Sequence, residues 1–221
     1  MNQFTERPYQ ALLGYLKEEL ADHRLQVGSL LPSDSQLSAR LSFSVPSIRE
    51  SLHLLEMFGL LSPAEDGQYR VSHDVSRGFT DILSLMLLTD QLRYADVVRL
   101  RRSITLQSLP AICKEITESQ KQNLYLCLVR MMASEHGDLK ADMEFHDTLL
   151  AASGDQLALS LNRALNQFMR GEKKTEYYFE NWEALVQIHV QLYRGVVDGD
   201  VEAAAKAVND HFDLLAAHTY D

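Results

Sequence analysis

The chain has 221 residues, 46% hydrophobic and 24% charged, with a formal net charge of −10. That length suits one large or two modest soluble domains. No apolar run nears the roughly 18 residues that a bilayer crossing needs, and the start, MNQFTERPYQ, lacks the layout of a signal peptide, so a cytoplasmic protein without membrane contact is expected. The acidic balance argues against wholesale attraction to nucleic acid, whose affinity rests on Lys and Arg neutralising phosphates.

In chain order, Leu12, Leu13, Leu16 and Leu20 recur at helical spacing within Tyr9 to His23, with Lys17, Glu18, Glu19 and Asp22 toward the other face. After a turn at Val27-Gly28-Ser29, Ser33 can cap a short helix running to Leu41. A third helix is expected from Val45-Pro46, with Ile48, Leu52, Leu55 and Phe58 as its apolar stripe and Gly59 as its stop. Leu60 to Ser62 and Gln68 to Ser72 read as two short strands around an Asp66-Gly67 turn. Helix, helix, turn, helix, hairpin is the order of a winged helix-turn-helix.

From Ser76 onward the pattern is helical throughout. Segments are expected at 78–89, 94–115, 118–135, 138–152, 155–171, 181–198 and 200–218, with Pro110 kinking or splitting the second. Gly137-Asp138, Ser153-Gly154-Asp155 and Asp198-Gly199-Asp200 each pair a helix-ending glycine with a capping aspartate. The expected fold is therefore mainly α. It joins an N-terminal winged helix-turn-helix with a small β-hairpin wing, residues 1–75, to a C-terminal all-α antiparallel helical bundle, residues 76–221. Cys113 and Cys127 have no Cys-x-x-Cys spacing and read as buried fillers, and Met131-Met132 and Tyr177-Tyr178-Phe179 read as core packing.

Residues 1–75 hold six Lys and Arg against ten Asp and Glu, so any DNA contact there must depend on a local basic face, helix starts or dimerisation. Leu31-Pro32-Ser33, Gln36-Leu37, Phe43-Ser44, Ile48-Arg49-Glu50-Ser51-Leu52, Leu55 and Gly59-Leu60 resemble the GntR family signature, LPSERxLAxxLGVSRxxVREALxxLxxxGL. The resemblance implies a transcription factor that binds a double-stranded DNA operator as a homodimer. Ser35 and Val45 stand where the family usually carries arginines that touch DNA, and Arg49 remains of that set. Position and resemblance make Ser35, Ser44, Ser47, Arg49, Gly67 and Gln68 the candidate DNA contacts. No partner for Arg49 is evident along its helix, since Glu56 is out of register and Glu50 merely adjacent.

In the second half, Asp142 and His146 lie four apart on one helix face. His189 and His211 lie on either side of Asp198-Gly199-Asp200, roughly 14 and 17 Å from the turn at about 1.5 Å per residue, so antiparallel helices bring them level. A carboxylate with three imidazoles suits a divalent transition metal, Zn, Ni, Mn or Fe. Taken singly, each histidine reads equally as a packed or surface residue. As a set, Asp142 to Leu150 and the His189 to His211 stretch resemble the motifs of the FCD domain, the effector domain of the FadR-type GntR branch. That resemblance implies metal binding and a small organic acid effector, such as a sugar acid, a hydroxy acid or a dicarboxylate. Arg101 falls in the arginine position of the family's R-x-x-(I/L)-E segment, with Thr105 replacing the glutamate, and is the candidate ligand-binding residue; a solvated or dimer-facing arginine is the other reading.

A ligand-responsive regulator, not an enzyme, is the leading expectation. Two alternatives stay open: a protein of this fold with weakened DNA contacts that acts through a protein partner, and a metalloenzyme in which Glu144 would have to serve as base. His23, His53, His73, His136 and His218 form no defensible set.

Overall fold

The computed structural model describes residues 7–72, 75–89, 91, 93–134, 137–171 and 180–216. Three helices, α1 (Pro8–Ala21), α2 (Asp34–Leu41) and α3 (Val45–Met57), precede the strands β1 (Leu61–Pro63) and β2 (Tyr69–Val71). Among the described residues seven further helices follow: α4 (Ser76–Leu88), α5 (Tyr94–Glu115), α6 (Glu118–Ala133), α7 (Leu139–Ala151), α8 (Gln156–Gly171), α9 (Trp182–Asp198) and α10 (Val201–Ala216). The fold is mainly helical, a winged helix-turn-helix followed by an all-helical domain. Among the described residues no helix is long and apolar enough to cross a membrane.

Internal contacts divide the chain into two compact units, Met1–Phe79 and Thr80–Asp221. In the first, Leu12, Leu16, Leu37, Ile48, Leu52, Leu55, Leu61 and Val71 share one core; each such side chain contributes roughly 1.5–3 kcal/mol on burial. Both helices of the turn have side-chain caps. The hydroxyl of Ser33 accepts from the Gln36 amide and that of Ser44 from the Ser47 amide, satisfying donors that a helix start leaves open. Phe58 departs from the expectation: it caps α3 outside the helix and is half exposed. The wing is an antiparallel hairpin in which Leu61 faces Val71 and Pro63 faces Tyr69, and a 3-10 turn at Glu65–Gly67 joins the strands.

In the second unit α5 runs unbroken through Pro110, so the proline does not split it. The core gathers Leu109, Ile112, Leu124, Met131, Phe145, Leu149, Leu185, Leu192, Val196 and Phe212 from several helices. Met131 lies in it while Met132 is half exposed, so only one of that pair is packing. Cys127 is buried and Cys113 partly so, both as free thiols; Tyr177, Tyr178 and Phe179 lie outside the described residues.

The pairing of α9 with α10 sets the level of the site. Gly199 turns the chain in a left-handed conformation (φ 72°), and the Asp200 carboxylate then accepts from the Ala203 amide to start α10. A Cβ at Gly195 would come within 2.6 Å of the Ala204 nitrogen, so the two helices touch backbone to backbone there. His189 stands six residues before Gly195 and His211 seven after Ala204. Both therefore lie about 10 Å from the contact along their helices.

Candidate functional site

Three helices deliver one cluster of four side chains. Asp142 and His146 come from α7, His189 from α9 and His211 from α10; one ligand atom of each lies within 4.8 Å of all the others, and all four residues are buried. The Asp142 carboxylate stands 3.1 Å from His189 Nε2 and 3.9 Å from His146 Nε2. Phe145 and Phe212 stack edge-on against His189 and His211, at centroid separations of 4.8 and 4.9 Å. Those contacts fix the rings between apolar walls.

The protonation pattern of the cluster suits a cation. His189 Nδ1 lies 2.7 Å from the Leu185 carbonyl, which can only accept, so Nδ1 carries the proton. In the neutral ring Nε2 then turns a lone pair toward Asp142 and toward His146 Nε2, 3.3 Å away. Among the described residues both Asp142 oxygens, His146 Nδ1 and both ring nitrogens of His211 lack hydrogen-bond partners. Burial pushes the His146 and His211 imidazoles below their ordinary value, His211 to about 3, and the nearby Arg101 charge adds to this while Asp142 opposes it. Burial alone would raise the Asp142 carboxyl, but the surrounding histidines outweigh it and hold the group well below the usual carboxylate range. Neutral imidazoles beside an ionised carboxylate are the forms that ligate a cation. The residues thus fit a divalent transition metal, and orientation of His189 through Nδ1 to a backbone carbonyl is the usual support for such a ligand.

Beside the cluster, Arg101 of α5 is fully buried. Its Nη1 donates to the Met169 sulfur at 3.0 Å, and its guanidinium carbon lies 5.6 Å from the Phe212 ring centre. Among the described residues Nε and Nη2 have no acceptor. Thr105, in the position expected for a glutamate, donates to the Arg101 carbonyl at 3.0 Å and supplies no charge. Glu144 is engaged elsewhere, by Arg130 at 2.5 Å and Lys140 at 3.8 Å.

Sequence reasoning missed a third group. Asn162 and Asn166 of α8 are buried and both donate to Asp147 Oδ1, at 2.7 and 2.9 Å. The signal was present: Leu159, Asn162, Leu165, Asn166 and Met169 follow helical spacing, which puts two amides on the apolar stripe of α8.

The candidate DNA residues of the first unit are spread over three places. Ser35, exposed on α2, shares a hydroxyl contact with Ser33 at 3.0 Å. Ser44 and Ser47 meet at the start of α3, 2.9 Å apart. Gly67 sits exposed in the wing turn (φ +73°), with Gln68 beside it. Arg49 is exposed but does have a partner, which helix register could not reveal: its Nε donates to Asp34 on α2 at 3.0 Å. Other arginines of this unit are similarly engaged. Arg24 pairs with Glu19 and Asp22, Arg40 donates to the Tyr15 hydroxyl, and Arg70 to the Gly28 carbonyl. Of the histidines outside the cluster, His53 meets the Tyr69 hydroxyl at 2.9 Å and His23 adopts positive φ, while His73, His136 and His218 lie outside the described residues.

Comparison with known proteins agrees with this two-part architecture. Residues 8–66 match the family described as "Bacterial regulatory proteins, gntR family", and residues 96–214 match the FCD domain. The chain is 25% identical over 219 residues to the putative L-lactate dehydrogenase operon regulatory protein of Escherichia coli K12, covering 90% of this chain and 84% of that one. It is 23% identical to the Glc operon transcriptional activator of the same organism, over 91% of this chain and 85% of that one. Among solved structures, Streptococcus agalactiae GntR superposes with a TM-score of 0.71 at 22% identity, covering 95% of this chain and 99% of that one. The chain belongs to the GntR family of transcriptional regulators and carries a C-terminal FCD domain.

Proposed function

We propose that this regulator senses a small organic acid, bound beside a divalent metal in the helical domain, and that the acid alters operator binding by a homodimer. The observation that carries the reading is Arg101: a fully buried guanidinium with two nitrogens lacking acceptors, next to a buried carboxylate and three imidazoles. A buried charge without a partner costs several kcal/mol, and a planar fork of donors matches a carboxylate. Asp142, His146, His189 and His211 would hold the metal, which when bound supplies a Lewis-acidic site for an anionic oxygen. Arg101 then orients the carboxylate, and Phe145 and Phe212 exclude water. A relative named for an L-lactate dehydrogenase operon is in keeping with a small organic acid.

In this reading the signal leaves through α8 and α4. Arg101 touches Met169 of α8, and the hydroxyl of Thr80 on α4 donates to the α8 carbonyl of Ala164 at 3.2 Å. An acid that draws Arg101 from Met169 would bias α8, and with it the helix that follows the wing. Ser35, Ser44, Ser47, Arg49, Gly67 and Gln68 would meet the operator, with the two recognition helices of a dimer in successive major grooves.

The test is fluorescence anisotropy of labelled DNA from the gene's own upstream region against a scrambled duplex, with and without candidate acids. Preferential binding that an acid changes in the metal-loaded protein supports the reading, and acids bound without any change in DNA affinity would sink it. One observation favours a weaker DNA role exercised through a protein partner, namely that Arg49 already belongs to Asp34. That version predicts a shallow salt dependence of DNA binding.

A further inference from the structure

The α8 asparagines carry an inference that rests on the acid-sensing reading and narrows its ligand. Positions 162, 166 and 169 share one face of the helix. Met169 meets Arg101, and Asn166 Nδ2 also reaches the Met143 carbonyl at 3.4 Å, one residue from Asp142. The face thus lies between the buried arginine and the metal-ligating helix.

Orientation of both amides is fixed by chemistry. Asp147 Oδ1 accepts from Asn162 Nδ2 and from Asn166 Nδ2. Flipping either amide would set an oxygen against the carboxylate, so each Oδ1 must point away from Asp147. Both Oδ1 atoms are buried, and among the described residues no donor meets them, a cost of about 1–3 kcal/mol each. Arg101 offers unmet donors and does not use them on these acceptors. A ligand that satisfies both needs an anionic acceptor for Arg101 and hydroxyl donors for the amides.

We propose that Asn162 and Asn166 determine effector specificity by accepting hydrogen bonds from effector hydroxyls, which selects a polyhydroxylated carboxylate over an unsubstituted or singly hydroxylated acid. A site built to bond a hydroxyl discriminates sharply against the analogue lacking it, because its polar groups are then left unpaired.

The test uses the full-length protein loaded with Zn2+ and three six-carbon acids in calorimetric titration: gluconate, 2-hydroxyhexanoate and hexanoate. Gluconate is expected to bind at least roughly tenfold more tightly than 2-hydroxyhexanoate, the difference made by one or more satisfied hydrogen bonds. Because 2-hydroxyhexanoate retains the hydroxyl next to the carboxylate, metal chelation alone predicts equal affinity for the two. N162L and N166L, near in shape, lose the accepting oxygen together with the amide that donates to Asp147, and should remove the preference for gluconate over 2-hydroxyhexanoate. Equal binding of all three acids to the unsubstituted protein overturns the specificity assignment and leaves the acid sensor standing. A gluconate preference that survives both substitutions in protein still binding Zn2+ overturns it too. No binding of any of the three overturns it together with the reading beneath it, and needs no variant to fold.

Discussion

The two units treat their charges in opposite ways. In the helix-turn-helix unit Arg24, Arg40, Arg49 and Arg70 all have partners within the unit, and Asp34 holds the arginine most expected on DNA. In the helical unit Arg101, Asp142, His211, Asn162 and Asn166 are buried with polar atoms left unmet. In the first unit these four arginines are engaged by the fold itself, and DNA must compete for them. In the proposed reading the second is completed by what it binds, so its stability would report ligands that the first unit's stability would not.

The largest way to break that contrast is to remove the charge on which the metal depends. D142N is expected to lower Zn2+ affinity by roughly a hundredfold or more, since altering supporting groups alone typically costs 10–100-fold, as equilibrium dialysis would measure. Next comes R101M. Replacing a buried unpaired cation by a hydrophobe of similar volume removes a desolvation cost of several kcal/mol. The effector-free variant should therefore melt no lower than the parent, yet gain nothing from acids that stabilise the parent. A clear drop in melting temperature without acid would mean that Arg101 has a structural partner.

A smaller effect comes from pH in the chelator-treated protein. His146 and His211 titrate below their ordinary 6.5 in the fold, His211 at about 3. The unfolded chain therefore takes up protons first as pH falls. Their contribution is intact above about pH 6.5 and declines as pH drops toward 3. Urea midpoints should follow that course, and H211Q should flatten it. Smallest for the fold is D34N. Its pair with Arg49 is largely exposed, and loss of such a pair shifts stability by about 1 kcal/mol or less. Release of Arg49 should nevertheless tighten operator binding at low salt and steepen the salt slope by about one unit. Weaker DNA binding by D34N would show instead that Asp34 positions Arg49 productively.

The contrast also explains what the sequence disclosed. Helices with regular stripes and punctuated ends, such as α3 with Ser44 before it and Gly59 after, follow from local rules and were legible. So was the convergence of Asp142, His146, His189 and His211, because helix rise and a single turn set their levels. Pairings between elements were not. Asp34 meets Arg49 across 15 positions and two helices, and no spacing rule reaches that far. The α8 amides were visible in the stripe, but only burial and the fixed orientation on Asp147 turn them from helix surface into unmet acceptors. Pro110 does not split α5, because a bundle core holds a helix together where an isolated one would break.

The most direct test of the central claim is anisotropy of the upstream duplex with the metal-loaded protein, titrated with gluconate, beside R101M under the same conditions. The account predicts that gluconate shifts the DNA affinity of the parent and leaves that of R101M unchanged. An equal shift in both proteins, or binding of gluconate to the parent with no shift at all, would contradict it.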